Sequence, residues 1–299
     1  MVPPSSGGSG RRRLDTSSAS TPRHGLREIV SIFYTYWDVE HPSGCSTSGY
    51  GASQRQPEVI VCGGSGKETE LNPPRVLLSD VGGVLAAYLP GHTEGRMAKL
   101  FRCSVERAAD ILYLSSHFLA FERGRLPWPN YFEYCDGKFS IMARPPPGWG
   151  IKLFEEVWVG GLGETIQPVL GLWRALKPHL TIASASNVDY VRYSYGAVKN
   201  RDIAGVLDIG SHSFRLGARK GDADYFVRLL GEVREPAEKC LFVDDVIGHV
   251  EAARRAGIRA IHFRGPDEQG LKLLRHELVA AGVPQEWFGE QRTRAEETA

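Results

Sequence analysis

Between residues 75 and 283 the apolar positions follow two rhythms. "RVLLSD" (75–80), "LTIAS" (180–184), "KCLFVDD" (239–245) and "IRAIHF" (258–263) are continuous apolar runs, the pattern of strands buried on both faces of a sheet. Between them lie stretches with apolar residues three and four apart: "ETIQPVLGLWRALKP" (164–178), "DYFVRLLGEV" (224–233), "GHVEAARRAG" (248–257) and "EQGLKLLRHELVAAG" (268–282). These predict helices, the first closed by Pro178 and the third by Gly257. Strands alternating with helices predict an α/β fold with a mostly parallel, doubly wound, Rossmann-like sheet. Residues 89–163 interrupt the alternation. Their apolar residues fall at helical spacing (Met97, Leu100, Phe101, then Ala108, Ile111, Leu112), which predicts a helical unit inserted after the first strand.

The flanks differ in composition. Residues 1–72 are rich in Gly, Ser and Pro, with two apolar islands at 28–37 and 58–64, and predict an N-terminal extension without a stable fold of its own. Residues 284–299 predict a charged tail. The organisation expected is therefore a core of 73–88 and 164–283, the inserted unit of 89–163, and two flanks.

Composition narrows the function. With a formal net charge of +1 and 42% hydrophobic residues, the chain can bury one large core or two smaller ones, and nothing suggests nucleic acid or a membrane as partner. Cys45, Cys62, Cys103, Cys135 and Cys240 form no CxxC pair and are odd in number, which argues against a disulfide framework and for a reducing, cytoplasmic setting. No apolar run approaches bilayer-spanning length, and no long apolar segment follows the triple arginine at 11–13.

The chemistry gathers at strand ends. In a doubly wound sheet ligands bind beyond the carboxyl ends of the strands, near the point where strand order reverses. Three expected ends carry polar groups: Asp80; Ser184, Ser186 and Asn187; and Asp244 with Asp245. Lys220, just before a predicted helix, can reach the same end. Carboxylates, a lysine and a hydroxyl converging on one point suit Mg²⁺ and a phosphate. Gly82 and Gly83 would let backbone N–H groups approach phosphate oxygens.

Four segments resemble, in family order, the motifs of the haloacid dehalogenase superfamily of phosphohydrolases: "LLSDVGGVL" (77–85), "LTIASASN" (180–187), "LGARKGDADYF" (216–226) and "CLFVDDVIGHVEAARRAGI" (240–258). The inserted unit falls where that family carries a helical cap. The resemblance implies that Asp80 is the nucleophile and forms an aspartyl-phosphate, that Ser186 binds a phosphoryl oxygen and Lys220 neutralises charge, and that Asp80, the Gly82 carbonyl, Asp244 and Asp245 hold Mg²⁺. Gly82, Gly83 and Asn187 would line the substrate side, and the substrate would be a small phosphorylated metabolite. Two departures stand out. The family usually has a second aspartate two residues after the nucleophile, to protonate the leaving group; here that residue is Gly82. The usual Lys-Pro-Asp is Lys220-Gly221-Asp222.

Blander roles compete for the same residues. Asp80, Asp244 or Asp245 could cap helices, Ser186 reads as a cap of the helix after it, and His249 and His262 read as structural. "VCGGSGKET" (61–69) is not a phosphate-binding P-loop: Val61 stands where its first glycine belongs and Glu68 where its hydroxyl belongs. Two other functions remain open beside the phosphatase. One is a metal-free haloacid dehalogenase, and the other is a non-catalytic member that binds phosphate or protein.

Overall fold

A computed structural model describes residues 72–288 of the 299. The expected N-terminal extension, with its two apolar islands, lies outside the described residues but for Asn72, as do residues 289–299.

Five parallel strands form the central sheet. They are β1 (Val76–Ser79), β4 (Thr181–Ser186), β5 (Ile209–His212), β6 (Cys240–Asp244) and β7 (Arg259–His262), in the spatial order β5-β4-β1-β6-β7. β1 and β6 are wholly buried, as their unbroken apolar runs require. Val76 stands opposite Thr181 on one side and Cys240 on the other. The chain leaves β1 towards β4 and leaves β6 towards β7, so the order reverses between β1 and β6.

The layers covering the sheet are α6 (Gln167–Leu176), α7 (Tyr190–Lys199), α8 (Arg201–Ala204), α9 (Ser213–Leu216), α10 (Tyr225–Val233), α11 (Ile247–Arg255) and α12 (Glu268–Ala280). Two apolar cores sandwich the strands. Leu77, Leu170, Trp173, Ile182, Leu241 and Leu274 pack on one face. Leu78, Ala183, Tyr225, Leu229 and Phe242 pack on the other. Within the expected tail of 284–299, Gln285–Phe288 form a helical turn. Phe288 is buried in the first of these cores, and Trp287 stacks on His179 at 4.8 Å.

After β1 the chain forms β2 (Ala86–Tyr88), five helices and β3 (Leu162–Thr165), which pairs antiparallel with β2. The helices are α1 (His92–Phe101), α2 (Val105–Tyr113), α3 (Ser116–Glu122), α4 (Trp128–Ser140) and α5 (Ile151–Val159). Ser104 and Ser115 cap the starts of α2 and α3: the Oγ of each accepts a backbone N–H, from Arg107 and Phe118 respectively. A third core, rich in aromatic rings, joins these helices to Val191 of α7, with Phe101, Phe121, Tyr131, Phe139, Phe154 and Trp158 all buried.

Candidate active site

The carboxyl ends of the central strands bring the charged residues together. Asp80 follows β1 directly, and its N–H donates to the Val243 carbonyl on β6 at 2.9 Å. A buried relay supports it: Trp173 Nε1 donates to Ser79 Oγ at 2.8 Å, and the Ser79 hydroxyl donates to the Asp80 carbonyl at 2.7 Å. Lys220 is buried between two acids, with Nζ 2.8 Å from Asp80 Oδ2 and 2.6 Å from Asp244 Oδ2. Asp244 Oδ1 accepts the Val246 N–H at 2.8 Å and lies 3.0 Å from His249 Nδ1. Carboxylate oxygens of Asp80, Asp244 and Asp245 all lie within 4.8 Å of one another.

Such crowding sets the protonation states. Burial raises the Asp80 carboxyl well above the usual range; Lys220 opposes this, while the charges on Asp244 and Asp245 add to it. Burial acts the same way on Asp244, but Lys220 and His249 overcome it and hold that carboxyl well below the usual range. Burial would discharge Lys220, yet Asp244 and Asp80 keep it an ammonium well above the usual lysine range. One buried cation therefore faces three converging carboxylates.

The two glycines after Asp80 occupy different surroundings. A Cβ on Gly82 would meet nothing within 4 Å, whereas Gly83 has φ +79° and a Cβ there would lie 2.1 Å from Asp245 Oδ2. Gly83 is thus the residue that admits the Asp245 carboxylate beside the loop.

Ser186 ends β4, opposite His212 and two residues past the Ser79–Ser184 pair, and it is buried. The expectation that Ser186 caps the following helix does not hold. Asp189 caps α7, accepting the N–H groups of Val191 and Arg192, both at 2.9 Å. Ser184, also expected at this strand end, is turned towards β5, 3.4 Å from both the Ser211 carbonyl and His212 Nδ1. Asn187, expected on the substrate side, uses its Oδ1 to accept the Lys220 N–H at 2.8 Å and so ties two motifs together. Asp80 caps no helix; its Oδ1 accepts the N–H of Val81 in the turn that follows, at 2.7 Å.

Sequence reasoning gave His249 no part in the site. Its place in the first turn after the paired acids, in "DDVIGH", is the signal that puts an imidazole against Asp244. The relay through Trp173 left no such signal, since it joins residues 94 apart.

No family model matches the chain. Among curated proteins it is similar to enolase-phosphatase E1 of Gluconacetobacter diazotrophicus, 28% identical over 114 residues, which are 38% of this chain and 48% of that protein. The same-named protein of Pseudomonas aeruginosa is 29% identical over 115 residues, 38% of this chain and 44% of its own. The chain thus spans about half the length of the curated relatives it matches. Among solved structures, a HAD family enzyme of Bacteroides thetaiotaomicron superimposes with a TM-score of 0.60 at 15% identity, over 68% of this chain and 99% of that one. The same enzyme in complex with magnesium and inorganic phosphate gives 0.56 at 18% identity, over 65% and 96%. A predicted HAD-like family hydrolase of Porphyromonas gingivalis gives 0.57 at 19%, over 69% and 98%. The chain thus shares the fold of these HAD family enzymes, and the segments it shares with the enolase-phosphatases carry 28–29% identity.

Proposed function

We propose that the chain is a Mg²⁺-dependent phosphohydrolase that cleaves a small phosphate monoester through an aspartyl-phosphate at Asp80. The observation that carries this reading is the convergence of Asp80, Asp244, Asp245 and Lys220 beside the reversal of strand order. Hydrolysis in the curated relatives' name and the magnesium and phosphate bound by the Bacteroides enzyme support it.

The donor set fits the metal. All three side-chain donors are carboxylate oxygens, the hard ligands Mg²⁺ prefers, and one lysine leaves their negative charge incompletely balanced. Asp80, Asp244, Asp245 and the carbonyl of Gly82 would hold the ion. When bound, Mg²⁺ would supply the positive charge that lets an anionic carboxylate attack an anionic phosphate.

The chain's own groups do the rest. An Asp80 oxygen attacks phosphorus as the bond to the ester oxygen breaks, and the leaving oxygen takes its proton from solvent water, because Gly82 offers none. Water then attacks phosphorus, the bond to Asp80 breaks, and inorganic phosphate departs. Lys220 holds the nucleophile and draws charge from the phosphoryl group, Ser186 binds one of its oxygens, and His249 keeps Asp244 oriented. The helical insertion acts as the cap that selects the organic part of the ester.

A panel of phosphorylated metabolites, assayed with Mg²⁺ and with chelator, tests the reading. Hydrolysis that chelator abolishes is the expected result. Metal-independent release of halide from 2-haloacids would instead favour the dehalogenase alternative, and silence on both panels would favour the binding-only one.

A further inference from the structure

The insertion touches the lysine loop at one junction. α3 ends on Glu122, and Arg123 and Gly124 follow. Gly124 has φ +67° and runs so close to the neighbouring backbone that a Cβ there would sit 2.2 Å from the Phe214 carbonyl oxygen. Both charged side chains at this junction cross to the segment that carries Lys220. Glu122 pairs with Arg219. Arg123 grips Asp222 with two nitrogens: Nε donates to Oδ2 at 2.6 Å, and Nη2 donates to Oδ1. All four side chains are at most 18% exposed, so water screens these pairs less than it screens surface ones.

Arg219 and Asp222 bracket Lys220, one residue before it and two after. Asp222 also accepts the Arg219 N–H at 2.9 Å, which closes the loop on itself. Ser213 Oγ donates to the Glu122 carbonyl at 2.8 Å and fixes the other side of the junction. The residue after Lys220 is Gly221, the type with the least intrinsic preference for one conformation. An ammonium that must sit within hydrogen-bond reach of two carboxylates needs that backbone held from outside. The insertion, about a hundred residues earlier in the chain, supplies the hold.

We propose that Glu122 and Arg123 are positioning residues for Lys220, acting through their ion pairs with Arg219 and Asp222. Neither belongs to the carboxylate group that would hold the metal; they set where the lysine stands. The proposal rests on the phosphohydrolase reading only for its effect on turnover, because the placement of Lys220 is measurable without any reaction.

The experiment is acetylation of the folded full-length protein by acetic anhydride, with modification at Lys220 read by peptide mass spectrometry, alongside kcat for Mg²⁺-dependent phosphate release. In the native protein Lys220 is buried and held as an ammonium, so its labelling is slow. Arg123→Gln is expected to raise labelling at Lys220 and to lower kcat, each at least about tenfold, with Arg123→Lys intermediate because it keeps the charge and loses the two-point grip. Lys177→Gln is the control: it breaks an ion pair with Asp208, away from the lysine loop, and should leave Lys220 labelling at the native level. Glu122→Gln breaks only the other pair and serves if Arg123→Gln does not fold. Native-level labelling of Lys220 in whichever variant folds overturns the proposal. Raised labelling in a protein that hydrolyses no phosphate ester would uphold the positioning role and sink the phosphohydrolase reading alone.

Discussion

Gly82 and Gly83 adjoin in the chain and differ in what surrounds them. Open space faces Gly82, and its backbone is not left-handed, so the loop tolerates a side chain there. The position that usually holds a proton-donating aspartate therefore has room for one. General acid catalysis contributes ~10²–10⁴-fold, so esters with poor leaving groups should react slowly, and acyl, aryl or anomeric phosphates comparatively well. In a series of graded leaving-group pKa the native protein should show a steep fall in log rate, and Gly82→Asp a flatter one; a flat native series would mean that another residue already donates the proton. Gly83 is the opposite case. Gly83→Ala places a methyl against the Asp245 carboxylate and strains a left-handed residue, at a cost of about 1–2 kcal/mol. Thermal unfolding and Mg²⁺ titration should both show loss in Gly83→Ala and little change in Gly82→Ala; equal behaviour of the two would refute this account of the loop. The sequence made the acids and the glycines visible, because a carboxylate at the end of a buried strand has few structural uses. It did not show which glycine was obligatory, since that depends on Asp245, which lies 162 positions away.

β1, β4, β6 and β7 were readable as apolar runs, and α6, α10, α11 and α12 as apolar spacings, to within a few residues at each end. β5 was not read. Its "IGSH" holds one aliphatic residue and a glycine, and the edge of the sheet does not require the continuous apolar text of β1 or β6. The β2–β3 ribbon escaped as well, because three and four residues give too few positions to establish a period. β5 carries His212, a buried imidazole. Burial lowers this imidazole to about 4, helped by the charge of Arg215, while Ser184 and the rings of Tyr193 and Phe214 pack around it. The folded state thus keeps His212 neutral, while the unfolded chain takes up the proton below its ordinary value near 6.5. Stability is complete above that value and is lost as pH falls towards about 4, by about 2 kcal/mol at pH 5 from this group alone. Urea unfolding of the native protein and His212→Gln at pH 7.5 and pH 5 should show a larger loss in the native protein, by about that amount. Equal losses would mean that the fold does not hold this imidazole neutral.

At the scale of the molecule, topology turns separate motifs into one site. Asp80, Asn187, Lys220 and Asp244 come from four segments spread over 165 residues, and only a sheet that reverses order beside β1 brings them together. The alternation of strand and helix text made the parallel sheet legible. What stayed hidden was long-range partnership: the Trp173 relay under Asp80, and the grip of Glu122 and Arg123 on the lysine loop. Such contacts arise between residues about a hundred apart and follow no local period. Among the described residues no helix is long and apolar enough to cross a membrane, and Cys103, Cys135 and Cys240 are free thiols. The central claim is that Asp80 attacks phosphorus. Its most direct test is acid quenching during steady-state turnover with Mg²⁺, followed by peptide mapping for a base-labile phosphoryl group, on the native protein and on Asp80→Asn. The account predicts an adduct on Asp80 in the native protein, and in Asp80→Asn no adduct and a kcat lower by ~10³-fold or more. Mg²⁺-dependent hydrolysis that persists at near-native rate in Asp80→Asn would contradict it.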